Sequence, residues 1–304
     1  MRISKPYLIL LAFFAIYVIW GSTYLLNKIA VAQLAPFMLA AVRFTIAGLL
    51  IFIIAKLSGQ TLHITKKQLL NTMFAGFLFL SLGNGFAVWA LKYVDSGFAA
   101  LEISAQPLII LIMMRIFQGK KIQPMSAFGV VLGMVGIYLL ISQKEIVTKE
   151  NAIIGILMIF GCMLSWGYGS LFVGKADLPK NYFVNTGYQM FFAGIFLVFM
   201  SFGFQETWIS PMEWQTDVIW VMVLLVVFGS ILAFTSFNYL LKMVSPEKVA
   251  TSTYVNPIVA MLLGWYFLNE SISLQSIVAA IVLLSGVYFI NSRKKLALFA
   301  RFKK

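Results

Sequence analysis

Ten apolar segments dominate the sequence, and each is long enough to cross a bilayer as a helix. They lie at residues 7–27, 37–55, 69–91, 97–115, 125–142, 153–173, 182–202, 218–240, 249–268 and 275–292. A helix needs about 20 apolar residues to span the hydrocarbon core. Only helices and closed barrels satisfy their backbone hydrogen bonds in lipid, and these segments lack the alternation of barrel strands. We therefore predict an all-α membrane protein with ten transmembrane helices and no large soluble domain.

The composition agrees with this prediction and excludes several classes of site. Hydrophobic residues make up 61% of the chain and charged residues only 11%, whereas a soluble domain carries about 25% charged residues. The single cysteine and single histidine exclude a disulfide framework, a thiolate cluster and a histidine-rich metal site. We therefore expect no cofactor and no bound metal.

The positive charges predict the orientation in the membrane. With the amino terminus inside, the inner segments carry eighteen Lys and Arg residues and the outer segments carry four. Because cytoplasmic loops are enriched in Lys and Arg, both termini are predicted to be cytoplasmic, as in a multi-pass protein of a bacterial inner membrane. The net charge of +13 then needs no nucleic-acid partner. The basic and apolar tail at 293–304 is expected to lie on anionic lipid headgroups.

The chain also repeats itself at two constant offsets. At an offset of 146 residues the matching pairs are Trp20-Gly21 with Trp166-Gly167 and Ala47-Gly48 with Ala193-Gly194. After a gain of four residues in a loop, at an offset of 150, the pairs include Gln106-Pro107 with Asn256-Pro257 and Gly136-Ile137-Tyr138 with Gly286-Val287-Tyr288. We interpret 1–146 and 147–292 as two copies of one five-helix unit.

An odd number of spans in each copy means that the second copy enters the membrane from the opposite side. Inverted repeats are typical of secondary transporters, because two similar halves of opposite orientation can open a central site alternately to each side. The sequence therefore predicts a transporter for a small-molecule substrate, surrounded by lipid.

Several short motifs resemble the EamA-type branch of the drug/metabolite transporter superfamily. They are Ile19-Trp20-Gly21-Ser22-Thr23-Tyr24, Arg43-Phe44, Gly83-Asn84-Gly85, Tyr254-Val255-Asn256-Pro257 and Asn269-Glu270. The resemblance covers nearly the whole chain and implies ten helices in two inverted sets of five, with export of small metabolites or drugs. One departure is that Lys120 stands where the first repeat would have the counterpart of Glu270, which puts a capping or gating role there in doubt.

Two charged residues lie well inside the predicted spans, Arg43 and Glu102. Counting from the outer ends of their helices places both roughly 8–10 Å deep. Charges at such depth are costly, so each is a candidate functional group. We expect the two to pair or to share one wet cavity. They either lock two helices together, or Arg43 receives a substrate carboxylate or phosphate while Glu102 takes an ammonium group or a proton.

Uncharged polar residues within the spans give further substrate-binding candidates. Asn84 lies at a similar depth and either contacts substrate or forms an interhelical hydrogen bond. Gln189 matches Arg43 at the offset of 146 and is a weaker candidate on the inner side. Gln106 and Asn256 each precede a proline near the membrane midplane, at Pro107 and Pro257.

Both prolines are predicted to kink their helices, because proline removes a backbone donor. The loosened backbone beside each amide could dock a polar ligand, or the kinks could be structural only.

Aromatic residues complete the candidate binding site. They are Trp20 and Tyr24 in the first helix and Trp166 and Tyr168 in the sixth. Their rings either enclose an apolar or cationic substrate or pack against lipid. Neighbouring glycines favour the protein interior.

Several functions remain open at this point. The leading hypothesis is export of a small amphipathic, amino-acid-like or drug-like metabolite, and the alternatives within transport are proton-coupled export of cationic drugs and exchange of phosphorylated metabolites. A membrane enzyme is disfavoured, since the spans hold one acid, one cysteine and no histidine. A sensor that does not transport would lack an output domain. The small-residue face of Gly129, Gly133 and Gly136 either packs within a monomer or supports a homodimer.

Overall fold

The computed structural model describes residues 5–119, 121–143, 150–244, 249 and 252–291. All regular elements in these residues are helices. Eight helices are long and apolar enough to cross a membrane: α1 Lys5–Ala30, α2 Pro36–Leu57, α3 Lys66–Ala90, α4 Ser96–Gln118, α5 Pro124–Ile141, α6 Ala152–Val173, α7 Tyr182–Gly203 and α8 Thr216–Leu240. Two further apolar helices follow, α9 Ser252–Leu268 and α10 Leu274–Asn291.

These helices coincide with the ten apolar segments of the sequence, so the prediction of an all-helical membrane protein is confirmed. The end of the bundle at which α1 begins is called the inner end below, after the predicted orientation, and the opposite end is the outer end. The basic tail at 293–304 and the predicted boundary between the repeats at 146–147 lie outside the described residues.

Four helices depart from regular α geometry. Wider π-helical turns occupy Ala15–Ile19 in α1, Phe77–Asn84 in α3 and Leu225–Leu232 in α8. Helix α4 is interrupted between Ile103 and Gln106, directly before Pro107, as expected where proline removes a donor. Pro257 instead lies inside the continuous helix α9. π-helical turns recur at functional sites in other proteins, and three of these four helices meet at the centre of the bundle.

Most of the extensive helix contacts join a helix of one repeat to a helix of the other. The most extensive contacts join α2 to α7 and α5 to α10, which are equivalent helices of the two copies. Helix α1 packs against α8 and α9, and its counterpart α6 packs against α3 and α4. The two copies are therefore interleaved about a pseudo-two-fold axis, as inverted repeats require.

The crossing of α2 and α7 shows the internal symmetry at atomic detail. A Cβ built on Gly48 would lie 2.7 Å from Phe191 N, and one built on Gly194 would lie 2.9 Å from Thr45 N. Gly48 matches Gly194, and Thr45 matches Phe191, at the offset of 146. Both glycines are therefore required for the same close approach of backbones, which is typical of membrane helices.

The small-residue face of α5 is used within the chain. A Cβ on Gly129 would lie 2.6 Å from Gly286 O, and one on Gly136 would lie 2.7 Å from Leu283 Cα, both in α10. Large apolar side chains cover the outer faces of the helices, among them Ile53, Phe199 and Tyr266. Such a surface would be costly in water and is matched to lipid.

Candidate functional site

A cavity of about 490 Å³ opens between the two repeats at the inner end. Its wall combines aromatic, apolar and amide side chains with one lysine: Phe79, Val173, Ala176, Leu178, Pro179, Lys180, Asn185, Gln189, Phe237 and Asn238. The cavity has the size of a small-ligand site, and its mixed lining suits an amphipathic molecule. No carboxylate is among the described residues that line it.

Phe79 and Phe237 of the cavity wall belong to a group of five aromatic rings that we call the central aromatic cluster. Its members are Trp20, Phe79, Trp166, Phe234 and Phe237. The ring centroids of Trp20 and Trp166 are 5.9 Å apart in an edge-on arrangement. Phe79 lies 4.9 Å from Trp166, and Phe237 lies 5.3 Å from Trp20. The predicted aromatic candidates Trp20 and Trp166 thus meet, as repeat equivalents, close to the pseudo-two-fold axis.

The polar side of the cavity is built from amides of α7 and α8. Gln189 Nε2 donates to Asn185 Oδ1 at 3.3 Å, and Asn238 Nδ2 donates to Thr186 Oγ1 at 2.8 Å. The Oε1 atom of Gln189 is buried and has no hydrogen-bond partner among the described residues. An unsatisfied buried acceptor is costly, so this oxygen is available to a donor on a bound solute.

The opposite end of the bundle is closed by carboxylates of the second repeat that cap helices of the first. Glu206 accepts hydrogen bonds from Phe37 N at 3.0 Å and Met38 N at 2.9 Å, at the start of α2. Glu270 accepts from Ser96 N at 2.8 Å and Gly97 N at 3.1 Å, at the start of α4. Negative charge is favourable at a helix amino terminus. The capping role of Glu270 is thus present, while Lys120 lies outside the described residues.

Lysine strengthens the same closure. Lys28 Nζ, at the end of α1, donates to Leu91 O at 2.7 Å and Val94 O at 2.8 Å. Leu91 directly follows α3, and a cation is favourable at the carboxyl end of a helix. The structure is therefore open at the inner end and closed at the outer end.

Arg43 is 1% exposed and lies between α1, α2 and α8. Its Nε donates to Ser230 Oγ at 2.7 Å and its Nη1 to Asn27 Oδ1 at 3.4 Å, and its guanidinium carbon lies 4.8 Å from the centre of the Phe44 ring. The predicted pairing with Glu102 is wrong for this state, since Arg43 makes no ion pair within the described part of the chain. The reason is that equal depth does not place two helices side by side.

Glu102 is 3% exposed on the outer half of α4. Its Oε2 has no hydrogen-bond partner among the described residues. The Cys162 thiol on α6 interacts electrostatically with Glu102 and with the Tyr24 phenol on α1. The predicted residues Glu102 and Tyr24 therefore belong to one buried group that is separate from Arg43.

The amides that precede the two prolines hold helices together. Gln106 Nε2 donates to Met163 O at 3.0 Å. In the orientation that satisfies its hydrogen bonds, the Asn256 amide nitrogen donates to Tyr17 O at 2.9 Å and Ile16 O at 2.8 Å. Because Tyr17 matches Met163 at the offset of 146, this is one interaction made twice. Both amides bond backbone of the other repeat, and neither lines the inner cavity.

The remaining predicted residues lie in different surroundings. Asn84 lies in the π-helical turn of α3, with its Oδ1 buried and unpartnered within the described residues. Tyr168 is 41% exposed and packs beside Phe74 and Phe117. Of the two alternatives left open for Tyr168, its exposure favours packing at the lipid-facing surface. Residues two apart on a helix face different directions, and only Trp166 points inward.

Sequence reasoning missed four side chains that shape the cavity, Phe79, Asn185, Phe237 and Asn238. The amides carried a usable signal: Asn185 lies one turn before Gln189 on α7, and Asn238 is a polar residue near the inner end of α8. The two phenylalanines carried none, because the chain has 28 phenylalanines and many of them face lipid.

Comparison with known proteins places this architecture among transporters. The model of the EamA-like transporter family matches twice, at residues 7–142 and 153–292. The chain is 34% identical to YedA of Escherichia coli K12, named as an uncharacterized inner membrane transporter, over 94% of both chains. It is 21% identical to YoaV of Bacillus subtilis 168, named as an uncharacterized transporter, over 94% of this chain and 99% of that one. A crystal structure at 19% identity has the same fold, with a TM-score of 0.67 over 99% of this chain and 100% of that chain.

Proposed function

Because this chain belongs to the EamA-like transporter family, we propose that it is a secondary transporter that exports small amphipathic solutes by alternating access. It is a multi-pass cell membrane protein, and its relative YedA is named as an inner membrane transporter. The observation that carries the proposal is the cavity of about 490 Å³ between the repeats, open at the inner end, with the outer end closed by the caps of Glu206 and Glu270.

The proposed topology has ten spans with both termini in the cytoplasm. Helix α9 has 17 described residues and α10 has 18, which is at the lower end of the roughly 17–25 residues that span a bilayer. Both pack along their repeat equivalents, α9 against α4 and α10 against α5. The cavity then faces the cytoplasm, which is the loading state of an exporter.

The proposed substrate has an apolar or aromatic body and an uncharged or zwitterionic polar head. Phe79 and Phe237 would contact the body, while Gln189 and Asn185 offer amide groups to the head. Movement of the central aromatic cluster would pass the solute from one repeat to the other. In other transporters, inverted repeats likewise open a central site alternately to the two sides of the membrane.

Flux through purified protein tests this proposal. In proteoliposomes we expect counterflow of at least one solute from a panel of neutral amino acids, nucleosides and cationic dyes. Phe237→Ala should lower that flux by about 2- to 10-fold, the effect of one lost aromatic contact of roughly 0.5–1.5 kcal/mol.

Phe199→Ala is the matched control, because the Phe199 ring is 69% exposed on the outside of α7 and its loss should leave flux unchanged. If no solute of the panel moves although the protein is folded, or if both variants lower flux equally, the proposal is wrong.

A second candidate is exchange of a cationic solute for protons. The observation that favours it is the buried Oε2 of Glu102, which no described group partners. A carboxyl group in this position would bind a proton or an ammonium group in turn. The cavity itself does not favour this candidate, since its described lining includes Lys180 and no acid.

A further inference from the structure

Within the described part of the chain, the groups that contact the buried guanidinium of Arg43 are neutral. Ser230 and Asn27 accept its hydrogen bonds at 2.7 and 3.4 Å, and the Phe44 ring lies beside it. These two hydrogen bonds use only part of the five N–H donors of the guanidinium. A buried cation without an anion is costly, and charged groups at membrane depth are retained where they serve a function.

The repeat equivalence connects this cation to the inner cavity. Gln189 and Val173 line the cavity, and their counterparts at the offset of 146 are Arg43 and Asn27. Phe79 also lines it, and its counterpart at the offset of 150 is Gly229.

Gly229 indeed lies against Arg43. A Cβ built on Gly229 would lie 3.1 Å from Arg43 Nη2 and 2.8 Å from Thr23 Cγ2. The group around Arg43 is therefore the collapsed counterpart of the open inner cavity.

We propose that Arg43, with Asn27 and Ser230, is an anion-binding subsite that faces the outer side when the outer end opens, and that it takes the carboxylate of the transported solute. This inference rests on the proposed function, because the subsite opens only if the two repeats exchange roles. A guanidinium binds a carboxylate through paired hydrogen bonds. Of the uncharged and zwitterionic solutes proposed above, this selects a zwitterion, whose carboxylate binds Arg43.

Gln189 and Arg43 occupy equivalent positions but differ in charge, so the binding site would differ in charge between the inward-open and the outward-open state. The inner cavity presents the neutral amide of Gln189, and the outer one would present the cation of Arg43. A carboxylate solute would thus enter through neutral amides and meet the guanidinium as the outer end opens.

Thiol labelling from the outer side tests the subsite without knowledge of the natural solute. Thr23→Cys is made in a Cys162→Ser background and exposed to an anionic and a cationic methanethiosulfonate reagent. Each rate is divided by that of the same reagent with 2-mercaptoethanol. We expect the anionic reagent to react faster, with a ratio of at least about tenfold, because the guanidinium attracts and hydrogen-bonds the anionic reagent beside the thiol.

Two substitutions of Arg43 separate charge from packing. Arg43→Gln copies the residue of the inner cavity and should bring the ratio close to one, whereas Arg43→Lys should retain most of the preference. A ratio that Arg43→Gln leaves unchanged would overturn the subsite. Reaction of Thr23→Cys from the inner side only, or no reaction at all, would do so as well.

A measurement with Arg43 intact covers the case in which Arg43→Gln does not fold. Benzoate should slow the labelling of Thr23→Cys, and benzamide, its neutral counterpart, should not. Equal protection by both compounds, or none by benzoate, would overturn the assignment of a carboxylate.

Val173→Cys reports separately on the proposed function. It lines the inner cavity and should react from the inner side whether residue 43 is Arg or Gln. If Val173→Cys reacts and the Cys162→Ser background protein shows normal flux while Thr23→Cys shows no dependence on Arg43, the subsite alone fails. If the inner side is unreachable and no solute moves, the proposed function fails.

Discussion

At the scale of single residues, the depth of a polar group could be predicted from the sequence, and its partners could not. Counting along the helices placed Arg43 and Glu102 in the outer half of the membrane, where both are buried. The direction in which each side chain points could not be predicted. Lipid and protein interior are equally apolar, so a membrane helix shows little amphipathic pattern. The same limit explains why the sequence left open which of Trp166 and Tyr168, one half-turn apart, faces the protein interior.

Glu102 is the residue at which proton coupling can be tested directly. If its carboxyl group carries a coupled proton, Glu102→Gln should abolish the response of transport to an imposed pH gradient, because an amide cannot release a proton. Exchange of solute for solute should remain. Both are measured as flux of labelled solute in proteoliposomes.

Glu150→Gln is the control, because Glu150 is exposed outside the helices. Retention of the full pH-gradient response in Glu102→Gln would remove this carboxyl group from the mechanism and leave the buried Oε2 as a structural feature.

At the scale of helices, the length of each apolar segment predicted where the helices end, and Pro107 predicted the break in α4. The π-helical turns and the helix caps could not be predicted in this way. A π-helical turn adds a residue without changing composition, so nothing marked Phe77–Asn84 or Leu225–Leu232 in the sequence. The caps are contacts between distant segments. Ala35 and Asp95 precede α2 and α4 without making a side-chain cap, and carboxylates from the other repeat supply what they lack.

A substitution that changes a single atom can weaken the cap on α2. Glu206→Gln replaces a carboxylate oxygen with an amide nitrogen, so that either Phe37 N or Met38 N loses its acceptor. Loss of a helix cap costs about 0.5–2 kcal/mol. We expect a lower thermal unfolding midpoint in detergent, together with faster labelling of Thr23→Cys from the outer side.

The matched control for this change is Glu213→Gln, since Glu213 is exposed in the segment between α7 and α8. A midpoint and a labelling rate that are the same in both variants would show that the cap does not hold the outer end closed.

At the scale of the whole molecule, the duplication predicted more than any motif. Two offsets in the sequence imply an axis, and the structure places Trp20 against Trp166 beside it. The same offsets relate Gly48 and Gly194 at the crossing of α2 and α7. What the repeats could not predict is which end is open, because both states are compatible with the same internal symmetry and the choice depends on a few contacts at each end.

The capping contacts at the outer end are charged, and those at the inner end are neutral. The outer end is closed by the carboxylates of Glu206 and Glu270. At the inner end the start of α7 is capped by the neutral Asn181, which also donates to Gln60 at 2.6 Å. Gln60 is the counterpart of Glu206 at the offset of 146. Hydrogen bonds to charged groups are stronger than those between neutral ones, so a closed outer end is favoured in the absence of solute.

The orientation on which export depends is testable with single cysteines in a Cys162→Ser background. Met212 is 97% exposed between α7 and α8, at the outer end, and Ser58 is exposed just after α2, at the inner end. Met212→Cys should react with a membrane-impermeant maleimide in intact cells, because eighteen basic residues hold the other face in the cytoplasm. Ser58→Cys should react only after the membrane is permeabilised. The reverse pattern would turn the open cavity toward the outside, and the same geometry would then describe the loading state of an importer.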